Sequence, residues 1–263
     1  MSIAWRSSPN CGPRRDGLTP TLVVLHYTAM ATAEAALERL CDPAAEVSAH
    51  YLIAEDGRAW QLVDEAMRAW HAGIGSWRGL GDVNSRSIGV ELANPGPLAG
   101  FPPFAEPQMA ALEALLDAIL ARWQIGPEGV IAHSDMAPGR KSDPGPKFDW
   151  ERLARSGRAA ARASAPPGGP ADWPAFAAAA RAAGYDAPGD DWPAVLAATR
   201  LRWRPWATAP EPEPADLAVL EGRVLRLTTG GFGPRSGAAR TVGRPRPGDG
   251  PRKVRTPGRD GGG

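Results

Sequence analysis

One short apolar run constrains the fold of this chain most. Residues 21–25 are leucines and β-branched residues, and the run ends with His26 and Tyr27. A continuous run of this kind is typical of a strand that is buried on both faces. Residues 87–93 and 129–133 give two further predicted strands. The pattern therefore predicts an α/β domain.

The segments between these strands predict a hairpin and two helices. Asp56-Gly57 separates two short β-rich runs, residues 51–55 and 58–63, and this is a strong hairpin signal. Residues 107–123 carry apolar side chains at helical spacing behind an initial proline, and residues 32–41 are rich in Ala, Glu and Leu. We expect a mixed central β-sheet flanked by helices.

Two breaks in composition divide the chain. Residues 159–170 form a linker of small residues, proline and glycine, and residues 209–215 form a stiff acidic loop. The predicted layout is an α/β domain at 1–157, a small three-helix module at 171–225 and a tail at 226–263. The helices of the module are predicted at residues 174–183, 193–202 and 216–224.

The tail differs from the rest of the chain in charge and in composition. It holds nine Lys or Arg against two Asp, although the net charge of all 263 residues is only +1. It also carries 11 of the 31 glycines and few apolar residues, so burial cannot offset its ordering entropy. We expect a disordered, solvated tail, with weak contact to a polyanion as the alternative. No nucleic-acid partner is expected.

Composition also bears on the compartment. The longest nearly apolar run has seven residues, far below the ~20 that a membrane helix needs. The first 20 residues contain arginines and prolines but no apolar core of a signal peptide. Two cysteines are too few for a disulfide scaffold or a cysteine-built metal site. These features predict a chain without a membrane span and favour the cytoplasm. The periplasm is the alternative location, and a monomer is expected.

Two histidines and one carboxylate form a candidate metal set. His26 and His133 end predicted strands, and Asp143 follows in a loop rich in proline and glycine. Catalytic zinc sites use such ligands and keep a fourth position open, and strand ends hold ligands rigidly. The alternatives are that the histidines are structural and that Asp143 belongs only to a turn.

Two charged residues lie near this set in the sequence. Glu91 interrupts an apolar strand, which is costly unless the carboxylate is paired or functional, although strand alternation would also direct it to solvent. Lys141 stands two residues before Asp143, and alternate residues of an extended loop share a face. A solvated loop lysine is its alternative interpretation.

Six motifs in a fixed order resemble a known family. Together they are similar to the zinc-dependent N-acetylmuramoyl-L-alanine amidases of the amidase-2 family, with most likeness to its AmpD/AmiD group, over residues 8–155. The motifs are Ser8-Pro9-Asn10, Val24-Leu25-His26-Tyr27-Thr28, Val47-Ser48-Ala49-His50-Tyr51, Ala69-Trp70-His71-Ala72-Gly73, Asn84 with Ser87-Ile88-Gly89-Val90-Glu91-Leu92, and His133 followed by Gly139-Arg140-Lys141-Ser142-Asp143-Pro144-Gly145.

The resemblance assigns a role to each residue of the candidate set. It implies that His26, His133 and Asp143 bind Zn²⁺, that Glu91 activates water, and that Lys141 stabilises the oxyanion. Zinc chemistry agrees, because the metal lowers the pKa of its water to ~7 and polarises the amide carbonyl. The implied reaction is hydrolysis of the amide between N-acetylmuramic acid and L-alanine in peptidoglycan or muropeptides, for wall turnover and recycling.

Further residues of the motifs are candidates for binding substrate. Trp70, His71, Trp77 and Asn84 are predicted to line the substrate cleft, since aromatic rings suit sugar faces and an amide suits a peptide. A tryptophan in the core is the alternative. His50 is expected to be structural or to hydrogen-bond near the metal ligands.

The module at 171–225 resembles the three-helix peptidoglycan-binding-like domain that accompanies some amidases of this family. Most of its four tryptophans are expected to be buried, with the module packed on the first domain, because four exposed indoles would form a rare apolar patch. They are Trp173, Trp192, Trp203 and Trp206. Two other functions stay open: a non-catalytic peptidoglycan-recognition module, and a metal endopeptidase that acts on stem peptides.

Overall fold

Short strands form two sheets in the computed structural model, which describes residues 2–162 and 170–229 and side chains as far as 224. The strands are β1 (Ile3–Trp5), β2 (Cys11–Pro13), β3 (Leu22–Tyr27), β4 (Tyr51–Ile53), β5 (Ala59–Gln61), β6 (Met67–Ala69), β7 (Ser87–Leu92) and β8 (Val130–Ala132). Six of them form a sheet in the order β1-β5-β4-β7-β3-β8, and β2 pairs with β6 in an antiparallel ribbon.

The central strand β3 lies parallel to both of its neighbours, β7 and β8. On the other side of β7, β4 is parallel to β7 and antiparallel to β5, so the sheet is mixed, as predicted. Val23, Val24 and Leu25 are fully buried. Layers on both faces of the sheet therefore explain why this run is continuously apolar.

Helices cover both faces of the sheet. Their bounds are α1 (Ala33–Cys41), α2 (Val83–Arg86), α3 (Glu106–Trp123), α4 (His133–Met136), α5 (Trp150–Arg155), α6 (Trp173–Ala183), α7 (Trp192–Trp203) and α8 (Pro214–Thr229). On one face, α3 buries Leu112 and Leu116 in a cluster with strand residues such as Val23 and Val90. The predicted α/β fold, with a mixed sheet flanked by helices, is confirmed.

The last three helices cover the opposite face. Val24 and Ile131 of the sheet share one buried cluster with Phe176, Val195 and Leu217 of these helices. The first two of these helices begin alike: Asp172 before α6 and Asp191 before α7 each accept a hydrogen bond from a backbone N–H of the first turn, which also contains a proline. The expected packing of this module on the sheet is present.

The tryptophans of the module behave differently from the expectation. Trp203 is buried, Trp173 and Trp192 are only partly covered, and Trp206 is 63 % exposed. The expectation that most are buried is therefore wrong, because aliphatic residues and Tyr185 fill most of the interface with the sheet.

The end of the helical module differs from the predicted boundary. α8 continues to Thr229, so residues 226–229 are helical instead of belonging to the tail. Residues 225–229, Leu-Arg-Leu-Thr-Thr, contain no glycine or proline that would end a helix. Glycines, which disfavour a helix, follow at positions 230 and 231. The rest of the tail and residues 163–169 of the predicted linker lie outside the described residues. Within the described ranges, we find no helix that is both long and apolar enough to span a membrane.

Candidate metal centre

Three parallel strands bring three of the predicted residues to one edge of the sheet. His26 lies near the carboxyl end of β3, directly opposite Glu91 of β7. His133 follows β8 immediately and begins α4. Asp143 lies in the loop after α4, and its backbone carbonyl accepts a 3.0 Å hydrogen bond from the backbone N–H of Ser134. Ligands commonly bind beyond the carboxyl ends of parallel strands.

The side chains of His26, His133 and Asp143 converge on one point. The two Nδ1 atoms are 2.9 Å apart, and Asp143 Oδ2 lies 2.8 Å from His26 Nδ1 and 2.9 Å from His133 Nδ1. All three residues are buried. The structure thus brings the three residues of the candidate metal set together.

The contacts of this triangle favour a cation at its centre. His133 Nε2 lies 2.9 Å from the carbonyl oxygen of Ala72, which can only accept, so Nε2 carries the proton and Nδ1 presents a lone pair. Two acceptors, this Nδ1 and the Asp143 carboxylate, therefore face each other at 2.9 Å. A cation between them removes the repulsion. Two imidazoles and a carboxylate are a donor set that zinc uses. Zinc bonds of ~2.0–2.1 Å at tetrahedral angles place ligand atoms roughly 3.3 Å apart, so these atoms, 2.8–2.9 Å apart, would spread by a few tenths of an ångström to hold the ion.

Electrostatics prepares the triangle for a cation. Burial, followed by the neighbouring His133, lowers the pKa of His26 to about 4, so this ring is neutral at pH 7. Burial alone would raise the pKa of Asp143, but His133 and His26 outweigh it and hold that pKa well below its ordinary value. The centre thus offers one carboxylate and a neutral imidazole without first losing a proton.

Glu91 lies beside the triangle without a partner of its own. Its Oε2 atom is buried and has no hydrogen-bond partner among the described residues. Burial and then the charge of Asp143 raise the pKa of Glu91 well above its ordinary value, while Lys141 opposes the rise. A carboxylate with a raised pKa in a cleft is suited to accepting and releasing a proton.

The triangle forms part of the wall of a cleft of about 400 Å³. Lys141, which is exposed, and Glu91 also line it, as do Trp70 and His71. The cleft is lined by His26, Tyr27, Thr28, Ala29, Met30, Ala36, Arg39, Leu40, Val47, Ser48, Trp70, His71, Glu91, His133, Arg140, Lys141, Ser142 and Asp143.

The other two predicted substrate residues lie behind the cleft wall. Trp77 is 2 % exposed and packs edge-on against Tyr185, with ring centroids 5.0 Å apart. Asn84 is buried, and its side-chain oxygen accepts hydrogen bonds from the backbone N–H groups of His71 and Ala72. The structure therefore gives Trp77 and Asn84 supporting contacts, and brings Trp70 and His71 into the lining.

Some contacts of the site were not foreseen from the sequence. The guanidinium of Arg140 donates to the carbonyl oxygens of Ala72 and Ile74, which ties the ligand loop to the opposite wall. The hydroxyls of Tyr27 and Ser142 are 2.7 Å apart. These residues belong to the quoted motifs or their neighbourhood, but their pairing spans more than 60 residues of sequence and depends on the fold.

His50 connects two strands through its ring nitrogens. Its Nδ1 accepts a hydrogen bond from the backbone N–H of Gly89, and its Nε2 lies 3.1 Å from the carbonyl oxygen of Met67. These contacts tie β7 to the ribbon of β2 and β6. They are consistent with the structural role expected for this histidine.

The fold and the site together define a class: an α/β protein with a candidate three-ligand metal centre in a cleft at the carboxyl edge of its sheet. Comparisons with known proteins narrow this class. A family model described as N-acetylmuramoyl-L-alanine amidase matches residues 16–146. The chain belongs to this family, which is named for cleavage of the amide between N-acetylmuramic acid and L-alanine.

Individual relatives agree with this assignment. The chain is 46 % identical over 148 residues to the N-acetylmuramoyl-L-alanine amidase AmiD of Escherichia coli (strain K12), a match that covers 52 % of each protein, so it spans about half the length of that relative. It is 35 % identical over 163 residues to the 1,6-anhydro-N-acetylmuramyl-L-alanine amidase AmpD of Citrobacter freundii, covering 56 % of this chain and 85 % of that protein.

Solved structures extend the likeness to the helical module. The complex of E. coli AmiD with anhydro-N-acetylmuramic acid-L-Ala-D-γ-Glu-L-Lys superposes with a TM-score of 0.72 at 35 % identity, over 84 % of this chain and 93 % of that one. AmpDh3 from Pseudomonas aeruginosa gives a TM-score of 0.73 at 31 % identity, over 87 % and 99 % of the two chains.

Proposed function

We propose that this chain hydrolyses the amide between N-acetylmuramic acid and L-alanine in muropeptides, with zinc held by His26, His133 and Asp143. One observation carries the proposal: three donor atoms converge within 2.9 Å of one another in a cleft that also contains the unpartnered carboxylate of Glu91. Family membership and the substrate named in the AmiD complex support the choice of bond.

Glu91 and Lys141 have separate roles in the proposed reaction. Bound zinc would polarise the amide carbonyl and make a water acidic enough to lose a proton near pH 7. Glu91 takes that proton and delivers it to the departing amine of L-alanine. Lys141, at the rim of the cleft, supplies positive charge to the oxygen on which negative charge develops.

The cleft lining supports a muropeptide as the substrate. Trp70 offers an aromatic face for a sugar or peptide, and Arg39, Arg140 and Lys141 give the lining positive charge towards an acidic stem peptide. We propose that such fragments are consumed in wall turnover and recycling. The cytoplasmic location and the monomeric state stay predictions.

The complete residue set argues against the alternatives. A recognition module has no need of Glu91 and Lys141 beside a ligand triangle. An endopeptidase on stem peptides would use the same chemistry at another bond, and the names of the relatives favour the amide next to L-alanine.

Metal content and turnover measured on the same preparation test this proposal. The wild-type protein is expected to hold one zinc per chain, to lose hydrolysis of a soluble muropeptide on chelation, and to regain it with zinc. Asp143→Asn should weaken zinc binding, whereas Asp56→Asn, an exposed change in the hairpin turn, should not. A protein that binds muropeptide with zinc present but never cleaves it would be a recognition module.

A further inference from the structure

A chain of hydrogen bonds runs from His26 into the interior of the protein. His26 Nε2, on the side of the ring away from the triangle, lies 3.0 Å from His71 Nδ1. His71 Nε2 lies 3.2 Å from the hydroxyl of Ser87, and this hydroxyl lies 2.6 Å from the backbone carbonyl oxygen of Val83. Neither His71 nor Ser87 belongs to the ligand triangle.

The last contact sets the direction that these hydrogen bonds favour. The carbonyl oxygen of Val83 can only accept, so the single proton of the Ser87 hydroxyl points at it. Ser87 must then accept from His71, which places a proton on His71 Nε2 and leaves His71 Nδ1 as an acceptor. In this series of bonds, His26 Nε2–H donates to His71 and a lone pair remains on His26 Nδ1. The Asp143 carboxylate, 2.8 Å from that Nδ1, favours the opposite tautomer as long as no cation lies between them.

The surroundings hold the His71 ring in this position. A Cβ atom on Gly89 would come within 2.4 Å of the His71 ring, so only glycine leaves room for the ring at this place on β7. The backbone N–H of His71 donates a 3.0 Å hydrogen bond to the side-chain oxygen of Asn84. Ser87 is fully buried, so water does not compete for its hydroxyl.

We propose that Ser87 and His71 are positioning residues that fix the Nε2–H tautomer of His26 and so direct its Nδ1 lone pair at the metal. The proposal rests on the zinc site proposed above. In this proposal His71 both lines the cleft and hydrogen-bonds to the buried Ser87 behind it. Residues that hydrogen-bond to a metal ligand contribute about 10–100-fold to metal affinity.

Without the Ser87 hydroxyl, the hydrogen bonds between His71 and His26 have no preferred direction. His71 Nε2–H would then be buried without an acceptor, which disfavours that tautomer. The other tautomer of His71 donates from Nδ1 to His26 Nε2 and moves the proton of His26 to Nδ1. That proton occupies the lone pair that zinc requires, so zinc binding must displace it.

The test combines histidine NMR with zinc affinity. ¹⁵N spectra of the metal-free protein report the tautomer of His26, and chelator competition gives the Kd for zinc, in wild type, Ser87→Ala and His71→Phe. Ser85→Ala is the matched control, because Ser85 is equally buried but its hydroxyl accepts from the backbone N–H of Arg15. Thermal unfolding of the metal-free variants shows whether each one is folded.

The metal-free wild type should show His26 in the Nε2–H tautomer, in competition with the Nδ1–H form that Asp143 favours. Ser87→Ala should increase the share of the Nδ1–H form and weaken zinc binding about 10–100-fold, whereas Ser85→Ala should change neither. A wild type in which His26 is entirely the Nδ1–H tautomer, or an unchanged tautomer ratio and Kd in folded Ser87→Ala and His71→Phe, would overturn the proposal. A wild-type protein that takes up no zinc would contradict the proposed function. The tautomer of His26 in the metal-free protein would still show whether Ser87 and His71 position this ring.

Discussion

The hydroxyl of Tyr185 donates a 2.7 Å hydrogen bond to Asp135, two residues after the candidate ligand His133. The second oxygen of this carboxylate accepts from the guanidinium of Arg202 and from the backbone N–H of Ala132. The side chains of Asp135 and Arg202 are completely buried. The helical module thus supplies the partners of a buried charge next to the candidate metal centre.

Arg202→Met should strongly destabilise the protein. It leaves the Asp135 carboxylate buried with fewer partners, and breaking a buried pair typically costs ~3–5 kcal/mol. Urea denaturation measures the loss of unfolding free energy. Arg181→Met is the control, since Arg181 also stacks on a tryptophan, Trp192, but lies on the surface. Equal, small losses in both variants would show that the buried pair does not hold the module to the sheet.

Glu91→Gln should retain zinc and lose activity. The amide keeps the size of the side chain but cannot take a proton from water, and general base catalysis typically contributes ~10²–10⁴-fold. Metal content and turnover are measured on one preparation. Loss of zinc in the variant would make Glu91 a ligand, and near-normal turnover would show that it takes no part in proton transfer.

The same residue predicts a pH dependence of the metal-free protein. Because burial and Asp143 raise the pKa of Glu91 in the folded state, the folded state holds this proton more tightly than the unfolded chain. Glu91 therefore lowers the free energy of unfolding as pH rises above about 4.5, and has no such effect below that pH. With chelator present, Glu91→Gln should be more stable than wild type at pH 7 and should match it at pH 4. A difference that does not change with pH would contradict the raised pKa.

Residues 230–263 should be dispensable for catalysis. The helix α8 ends at Thr229, and the residues beyond it are mostly glycine, proline and arginine. Truncation after 229 should leave turnover of a soluble muropeptide near the full-length value. Truncation after 213 removes Leu217 and Leu220 from the cluster against the sheet, so it should destabilise the protein. A tenfold or greater fall in turnover for the shorter deletion would show that the tail takes part.

Sequence patterns predicted the parts of this fold that depend on local signals. The run containing His26 is apolar because both faces of β3 are buried, and that burial is visible in the sequence. By contrast, β1 and β2 have three residues each and form only because partners elsewhere in the chain pair with them. No pattern within Ile3–Trp5 or Cys11–Pro13 predicts such pairing.

The same distinction applies to the site. The grouping of His26, His133 and Asp143 was predictable because their residue types and order match a family pattern. The role of Ser87 was not, since a serine at the start of a strand is ordinary and its significance comes from His71, 16 residues away. Trp77 was expected in the cleft, but whether a tryptophan faces substrate or core depends on Tyr185, over 100 residues further on.

Identification of the bond that is cut tests the central claim most directly. The zinc-loaded protein is incubated with anhydro-N-acetylmuramic acid-L-Ala-D-γ-Glu-L-Lys in H₂¹⁸O, and the products are analysed by mass spectrometry. We predict two products: the intact tripeptide with a free L-alanine amine, and the sugar with one ¹⁸O in its lactyl carboxylate. A shortened peptide that is still attached to the sugar, or uncleaved substrate in the presence of bound zinc, would contradict the account.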